Sequence, residues 1–83
     1  MEHKEQFEIV LIKEEASEFS AKPEDYKRVA VEAADPLQAM MSDASDVKGY
    51  RKMFAAKPGV MTEPEIMARR RALDAEGNTH AGI

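Results

Sequence analysis

An alternation of apolar residues near the start of the chain predicts its first element, a β-strand over residues 7–12. The residues on one face of this strand are Phe7, Ile9 and Leu11. A period of two is typical of a strand. Because Val10 and Ile12 make the opposite face apolar too, we expect this strand to be covered on both sides.

A second alternation, formed by Val29, Val31 and Ala33, predicts another strand over residues 26–33. The polar, acidic segment between the two strands is too long for a tight hairpin and predicts a flexible loop, which we expect Phe19 to anchor. This segment contains no predicted helix, and a parallel connection between the strands would need one to cross over. We therefore expect the two strands to pair antiparallel.

After residue 33 the spacing of apolar residues changes from every second position to the three-and-four-residue repeat of a helix. Asp35 is a good N-cap and Pro36 suits the first helical position. Apolar residues recur at i, i+3, i+4 and i+7 from this point: Leu37, Met40, Met41 and Ala44. This spacing predicts a helix over residues 36–44.

A further helix is predicted over residues 47–56, where Val47, Tyr50 and Phe54 lie at i, i+3 and i+7. Gly49 weakens it by about 1 kcal/mol relative to Ala. Its apolar stripe nearly continues that of the preceding helix, so one long bent helix over residues 36–57 is an open alternative.

The clearest local signature lies before the last predicted helix, residues 63–76. Thr62 and Glu65 form a capping box, and Glu65 with Arg69 makes an i, i+4 ion pair in the favourable order. Gly77-Asn78 predicts the end of the helix, and residues 79–83 predict a mobile tail. The prediction is a single small α+β domain over residues 1–83, with an antiparallel two-stranded sheet followed by two or three helices (ββαα or ββααα).

Composition indicates that this domain has a thin core. Leu, Ile, Val and Phe number only 15 of 83 residues, and the chain has no Cys, so neither disulfides nor thiolate chemistry is available. Domains of this size usually need a partner, a metal or self-association. No apolar run is long enough for a membrane span and no signal peptide is apparent, which predicts a cytoplasmic protein, or one carried within a phage particle.

A search for chemistry gives little. His3 and His80 lie in the end segments, where the geometry of a catalytic or metal-binding imidazole is hardest to hold. The acidic run that begins at Asp43 lacks the spacing of a calcium loop. There is no glycine-rich phosphate loop and no nucleophile elbow. The sequence therefore predicts a protein that is not an enzyme, with no catalytic residues, metal, cofactor or small-molecule ligand.

Charge is distributed unevenly. Residues 1–43 carry eleven acids against five bases, a net −6, whereas residues 44–83 carry seven bases against five acids, a net +2. Such a dipolar chain suits association with a second copy or a larger protein. By its small size, it is also typical of an accessory protein of a phage or mobile element, either an assembly component or an inhibitor.

These observations favour a non-catalytic protein–protein interaction protein. The candidate interface lies on the last helix, where two arginines flank a narrow apolar stripe: Ile66, Met67, Arg69, Arg70 and Leu73. The candidate acidic surface, which could imitate nucleic acid, is Glu14, Glu15 and Glu18. The alternative function is a small nucleic-acid-binding module whose contacts would be Lys48, Arg51, Lys52 and Arg71.

Overall fold

The fold is a three-stranded antiparallel sheet with a helix on each face. The computed structural model describes residues 4–81, with side chains described over residues 4–75. The strand order is β2-β1-β3, and both pairings are antiparallel. The elements are β1 (Glu5–Lys13), β2 (Tyr26–Ala33), α1 (Pro36–Met41), β3 (Tyr50–Ala56) and α2 (Glu63–Ala81), and single turns of 3-10 helix lie at Pro23–Asp25 and Asp43–Ser45.

The central strand β1 is buried on both faces, as its sequence predicts. Phe7, Ile9 and Leu11 pack with Val31 of β2 and Ala39 of α1 on one face. Val10 and Ile12, also buried, belong to the opposite face. The antiparallel pairing of β1 with β2 is also confirmed, with Phe7 opposite Val31 and Ile9 opposite Val29.

The prediction of a two-stranded sheet followed by two or three helices is wrong. Residues 50–56 form β3 instead of a helix, and β3 pairs with the free edge of β1. The alternative of one bent helix over residues 36–57 is wrong for the same reason. Between these residues only α1 is an α-helix, and α2 is the one long helix of the described chain.

A β-bulge explains why the sequence of β3 lacks the alternation of a strand. Val10 pairs with Phe54 whereas Leu11 pairs with Lys52, so Met53 is an extra residue on β3. The bulge shifts the alternation by one position, and Tyr50 and Phe54 consequently lie on opposite faces of the sheet. The two residues therefore share no face in the structure, although their i, i+4 spacing is also that of a helical stripe.

The helix boundaries also differ from those predicted. Asp35 caps α1 through the backbone N–H of Gln38 at 2.8 Å, as expected, but α1 ends at Met41 and not at residue 44. The backbone of α2 stays helical through Gly77, which does not adopt the left-handed C-cap conformation, and residues 79–81 continue the helix. Residues 82–83 of the predicted tail lie outside the described residues. No helix within residues 4–81 is long and apolar enough to cross a membrane.

Gly49 makes the turn that leads into β3. Its φ of 87° lies in the left-handed region, and its carbonyl accepts a hydrogen bond from the backbone N–H of Glu14 at 3.0 Å. A Cβ at this position would meet no atom within 4 Å, so the cost of a side chain is in the backbone alone.

We expect Gly49→Ala to lower the free energy of unfolding by about 1 kcal/mol, because L-residues are strained at positive φ. Urea unfolding followed by circular dichroism measures this change. Lys48→Ala, at the exposed neighbouring position, is the control and should leave the midpoint nearly unchanged. Equal effects of the two substitutions would contradict the assigned role of Gly49.

Candidate protein-binding surface

Arg28 of β2 fixes the start of α2 on the sheet. Its Nε and Nη2 atoms donate to the two carboxylate oxygens of Glu65 at 2.9 and 2.5 Å. Its Nη1 donates to Glu8 of β1 at 2.8 Å, and Nη2 also donates to the backbone carbonyl of Val60. One guanidinium group thus joins two strands, the segment before α2 and the first turn of α2.

Thr62 completes this junction as the N-cap of α2. Its backbone N–H and its hydroxyl both donate to Glu65 Oε1, at 3.1 and 2.6 Å, which confirms the backbone half of the predicted capping box. Glu65 is buried and its carboxylate is held by Thr62 and Arg28. The predicted Glu65–Arg69 ion pair is therefore wrong, and Arg69 is exposed.

The pKa values of these groups follow from the hydrogen bonds. Burial raises the pKa of Glu65, but the donors Arg28 and Thr62 outweigh it and hold that pKa below its usual value. The hydrogen bonds from Arg28 and from the Gly59 N–H lower the pKa of Glu8. The hydrogen bond to Glu65 raises the pKa of Arg28, so all three groups are charged at neutral pH.

The loop between β1 and β2 is held by two arginines that donate to its backbone. Arg71 of α2 donates to the carbonyls of Ala21 and Glu18, with its shortest bond at 2.6 Å, and Arg51 of β3 donates to the carbonyl of Ala16 at 2.8 Å. Ala21 is buried, whereas Phe19 is 83% exposed. The expectation that Phe19 anchors this loop is therefore wrong.

The outward face of α2 carries a stripe of exposed apolar side chains. Ala68 is fully buried and defines the side of the helix that packs against the protein, while Ile66 and Leu73 are 48% and 60% exposed. At 100° per residue, Ile66 and Leu73 lie within 20° of each other and opposite Ala68. Arg69 and Arg70, both exposed, flank this stripe.

A shallow groove of about 370 Å³ lies beside this stripe, between α2 and the β1–β2 loop. Its lining residues are Glu18, Phe19, Glu63, Pro64, Met67 and Arg71. Met67 connects the groove to the stripe because it is 41% exposed and adjacent to Ile66. We name the combination of stripe and groove the α2 surface.

The structure places the predicted site residues as follows. Ile66, Met67, Arg69, Arg70 and Leu73 all lie on the exposed side of α2. The predicted acidic residues Glu14, Glu15 and Glu18 lie on the β1–β2 loop, and of these only Glu18 lines the groove.

The four residues of the nucleic-acid alternative do not form one patch. Lys52 donates to the carbonyls of Met40 and Ser42 and pairs with Asp46 at 2.7 Å, near the end of α1. Arg51 and Arg71 donate to the β1–β2 loop, while Lys48 is exposed in the turn before β3. Lys52 and Arg51 lie on opposite faces of the sheet, because they pair with the consecutive residues Leu11 and Ile12.

Sequence reasoning missed Arg28 and Glu8, which position α2. The available signal was a charged residue in the middle of a predicted strand. Arg28 precedes apolar Val29 and lies opposite Val10, which is buried. A charge in such a place needs a partner. The partner, Glu65, is 37 residues away in sequence, so no local pattern identifies it.

Among the side chains that the structure describes, those of residues 4–75, no group of three His, Cys, Asp or Glu is arranged to hold a metal ion. The comparisons with known proteins add no relative. No protein-family model matches the chain, and no significant similarity to a curated protein or a solved structure was found.

Proposed function

We propose that this chain is a non-catalytic protein-interaction module that binds a partner protein through the α2 surface. The supporting observation is where the exposed apolar side chains are concentrated. Eight large apolar side chains of the described residues are exposed, and six of them lie on α2, directly before it or on the loop beside it: Phe19, Val60, Met61, Ile66, Met67 and Leu73. Grouped exposure of this kind is typical of protein-binding sites.

Hydrogen bonds tie the α2 surface to the rest of the fold at two points. Arg28 fixes the first turn of α2 to the sheet, and Arg71 fixes the loop that carries Phe19 to the middle of α2. A surface that is organised before binding loses less conformational entropy when a partner docks.

The chemistry of the α2 surface specifies the kind of partner. Ile66 and Leu73 form a narrow apolar stripe along one face of α2, and Arg69 and Arg70 lie on either side of its middle. Neither arginine forms an ion pair within residues 4–75. The matching partner segment is an amphipathic helix with acidic side chains beside its apolar stripe.

Leu73→Glu is expected to weaken partner binding strongly, because it places a carboxylate on the apolar stripe of the contact. The measurement is affinity capture from a cell extract with wild-type and variant protein side by side, followed by titration of the captured partner. We expect at least a tenfold loss of affinity, about 1.4 kcal/mol. Loss of an apolar anchor residue at an interface commonly costs more than this.

Leu37→Glu is the matched control, because Leu37 is 69% exposed on α1 and far from the α2 surface in sequence and fold. Proteins captured by the wild type and Leu37→Glu but not by Leu73→Glu support the proposal. Capture that is equally sensitive to both variants, or insensitive to Leu73→Glu, would overturn it.

A further inference from the structure

The outer edge of β2 is an edge of the sheet that no other strand of the described chain covers, and it is separate from the α2 surface. β2 pairs with β1 over eight consecutive residues without a bulge, whereas the other edge strand, β3, is interrupted at Met53. Bulges are a common protection of sheet edges against further pairing. β2 has no such protection, and its edge residues Val29, Ala30 and Val31 are all small or β-branched.

The backbone groups that point outward from β2 can be identified. Glu14 donates its backbone N–H to Gly49, on the β3 side of β1. The N–H and carbonyl groups of successive residues point to alternate edges of a strand. Those of the odd-numbered residues of β1 therefore point towards β2, where they pair with odd-numbered residues. The backbone N–H and carbonyl groups of the even-numbered residues of β2 therefore point outward, away from β1. Consistent with this, the N–H of Tyr26 bonds to Pro23 outside the sheet.

Three outward-facing residues remain along this edge: Arg28, Ala30 and Glu32. Within the described part of the chain, their backbone N–H and carbonyl groups have no hydrogen-bond partner beyond the sheet. They form a row of donors and acceptors of the kind to which another strand can add.

We propose that β2 pairs antiparallel with β2 of a second copy, about a two-fold axis at Ala30. This register places Arg28 opposite Glu32 of the second copy and Ala30 opposite its counterpart. On the other face, Val29 lies opposite Val31. Each of the three outward-facing pairs exchanges up to two backbone hydrogen bonds, and the two sheets become one sheet of six strands.

Charge complementarity selects this register. Among two-fold antiparallel pairings, only the one centred on Ala30 sets Arg28 directly opposite Glu32. Within the described residues, Arg28 uses four of its five N–H groups, on Glu65, Glu8 and Val60, so one N–H of Nη1 remains for a further acceptor. Glu32 is exposed on the same face of β2. The proposal uses the sheet edge and does not rest on the proposed role of the α2 surface.

The first test is the mass of the wild-type chain in solution, by light scattering over a series of concentrations. We expect the mass to rise from 9.3 kDa towards twice that value. Glu32→Lys sets two like charges opposite each other and should return the chain to a monomer. Glu24→Lys, an equal change of charge at another exposed site, should leave the dimer intact.

The second test measures the register through a single introduced thiol, since the natural chain has no Cys. In hydrogen-bonded antiparallel pairs the Cα atoms are about 5.5 Å apart, within the range of a disulfide. Ala30→Cys should therefore give a disulfide-linked dimer under mild oxidation. Glu32→Cys should not, because the two copies of residue 32 would lie about 13 Å apart along the strands.

A monomer at all concentrations would overturn the proposal. A dimer whose cross-linking is no faster with Ala30→Cys than with Glu32→Cys would also overturn it. A dimer disrupted by Leu73→Glu but not by Glu32→Lys would assign self-association to the α2 surface instead. Circular dichroism of each variant confirms that the sheet is intact before these outcomes are compared.

Discussion

Arg28→Met is expected to lower the free energy of unfolding by about 3 kcal/mol, because it leaves the buried carboxylate of Glu65 without its main partner. The side chains of Arg28 and Glu65 are only 18% and 9% exposed. Loss of the guanidinium also removes the hydrogen bonds to Glu8 and Val60. For a domain of this size, such a loss is a large part of the total stability.

Urea unfolding with two comparison variants isolates the cause of this effect. Arg28→Lys keeps the charge but cannot engage both oxygens of Glu65 in parallel, so we expect an intermediate loss. Lys27→Met removes a charge from the exposed neighbouring position and should cost less than about 1 kcal/mol. Similar losses for Arg28→Met and Lys27→Met would show that the guanidinium cluster contributes no special stability.

The features predictable from sequence are those that depend on near neighbours. The alternation in residues 7–12 sufficed for β1 because both faces of that strand are apolar and unbroken. Asp35 and Thr62 identified the starts of α1 and α2, because the hydrogen bonds at both caps join residues only three apart. Asp35 accepts from the N–H of Gln38, and the N–H of Thr62 donates to Glu65.

β3 was not predictable in this way because its periodicity is interrupted. The extra residue Met53 moves Phe54 to the face opposite Tyr50, so apolar and polar residues do not alternate regularly along β3 and the pattern of a strand is lost. Residues 50–56 form a strand because of a tertiary contact. The backbone groups of β1 on the side away from β2 are buried with Val10 and Ile12 and need a strand to pair with. A single sequence contains no direct signal of that pairing.

The α2 surface shows the same division between local and long-range information. The helical wheel places Arg69 and Arg70 beside a line through Ile66 and Leu73, and the structure has this arrangement. Which face of α2 is buried depends on Glu65 meeting Arg28 of β2, a contact outside any local window. The groove was missed for a related reason, because Arg71 binds a loop about 50 residues earlier.

Stability should fall as the pH is lowered, and Glu65 and Glu8 should account for much of the fall. Both pKa values are lower in the folded protein than the usual value of 4.5. A lowered folded-state pKa means that the unfolded chain binds protons more readily. The contribution of these carboxylates is therefore fully present above about pH 4.5 and is lost as the pH falls through their folded-state values.

Glu65→Gln tests this assignment, with urea unfolding measured from pH 7 to pH 3. The variant should be less stable than the wild type at pH 7, because an amide pairs less strongly with Arg28, and its stability should fall less steeply below pH 4.5. Glu63→Gln removes the same charge from an exposed position in the same helical turn and should keep the steep fall. Parallel pH profiles for Glu65→Gln and the wild type would mean that the acid sensitivity arises elsewhere, and that Arg28 stabilises the junction independently of the ionisation of Glu65.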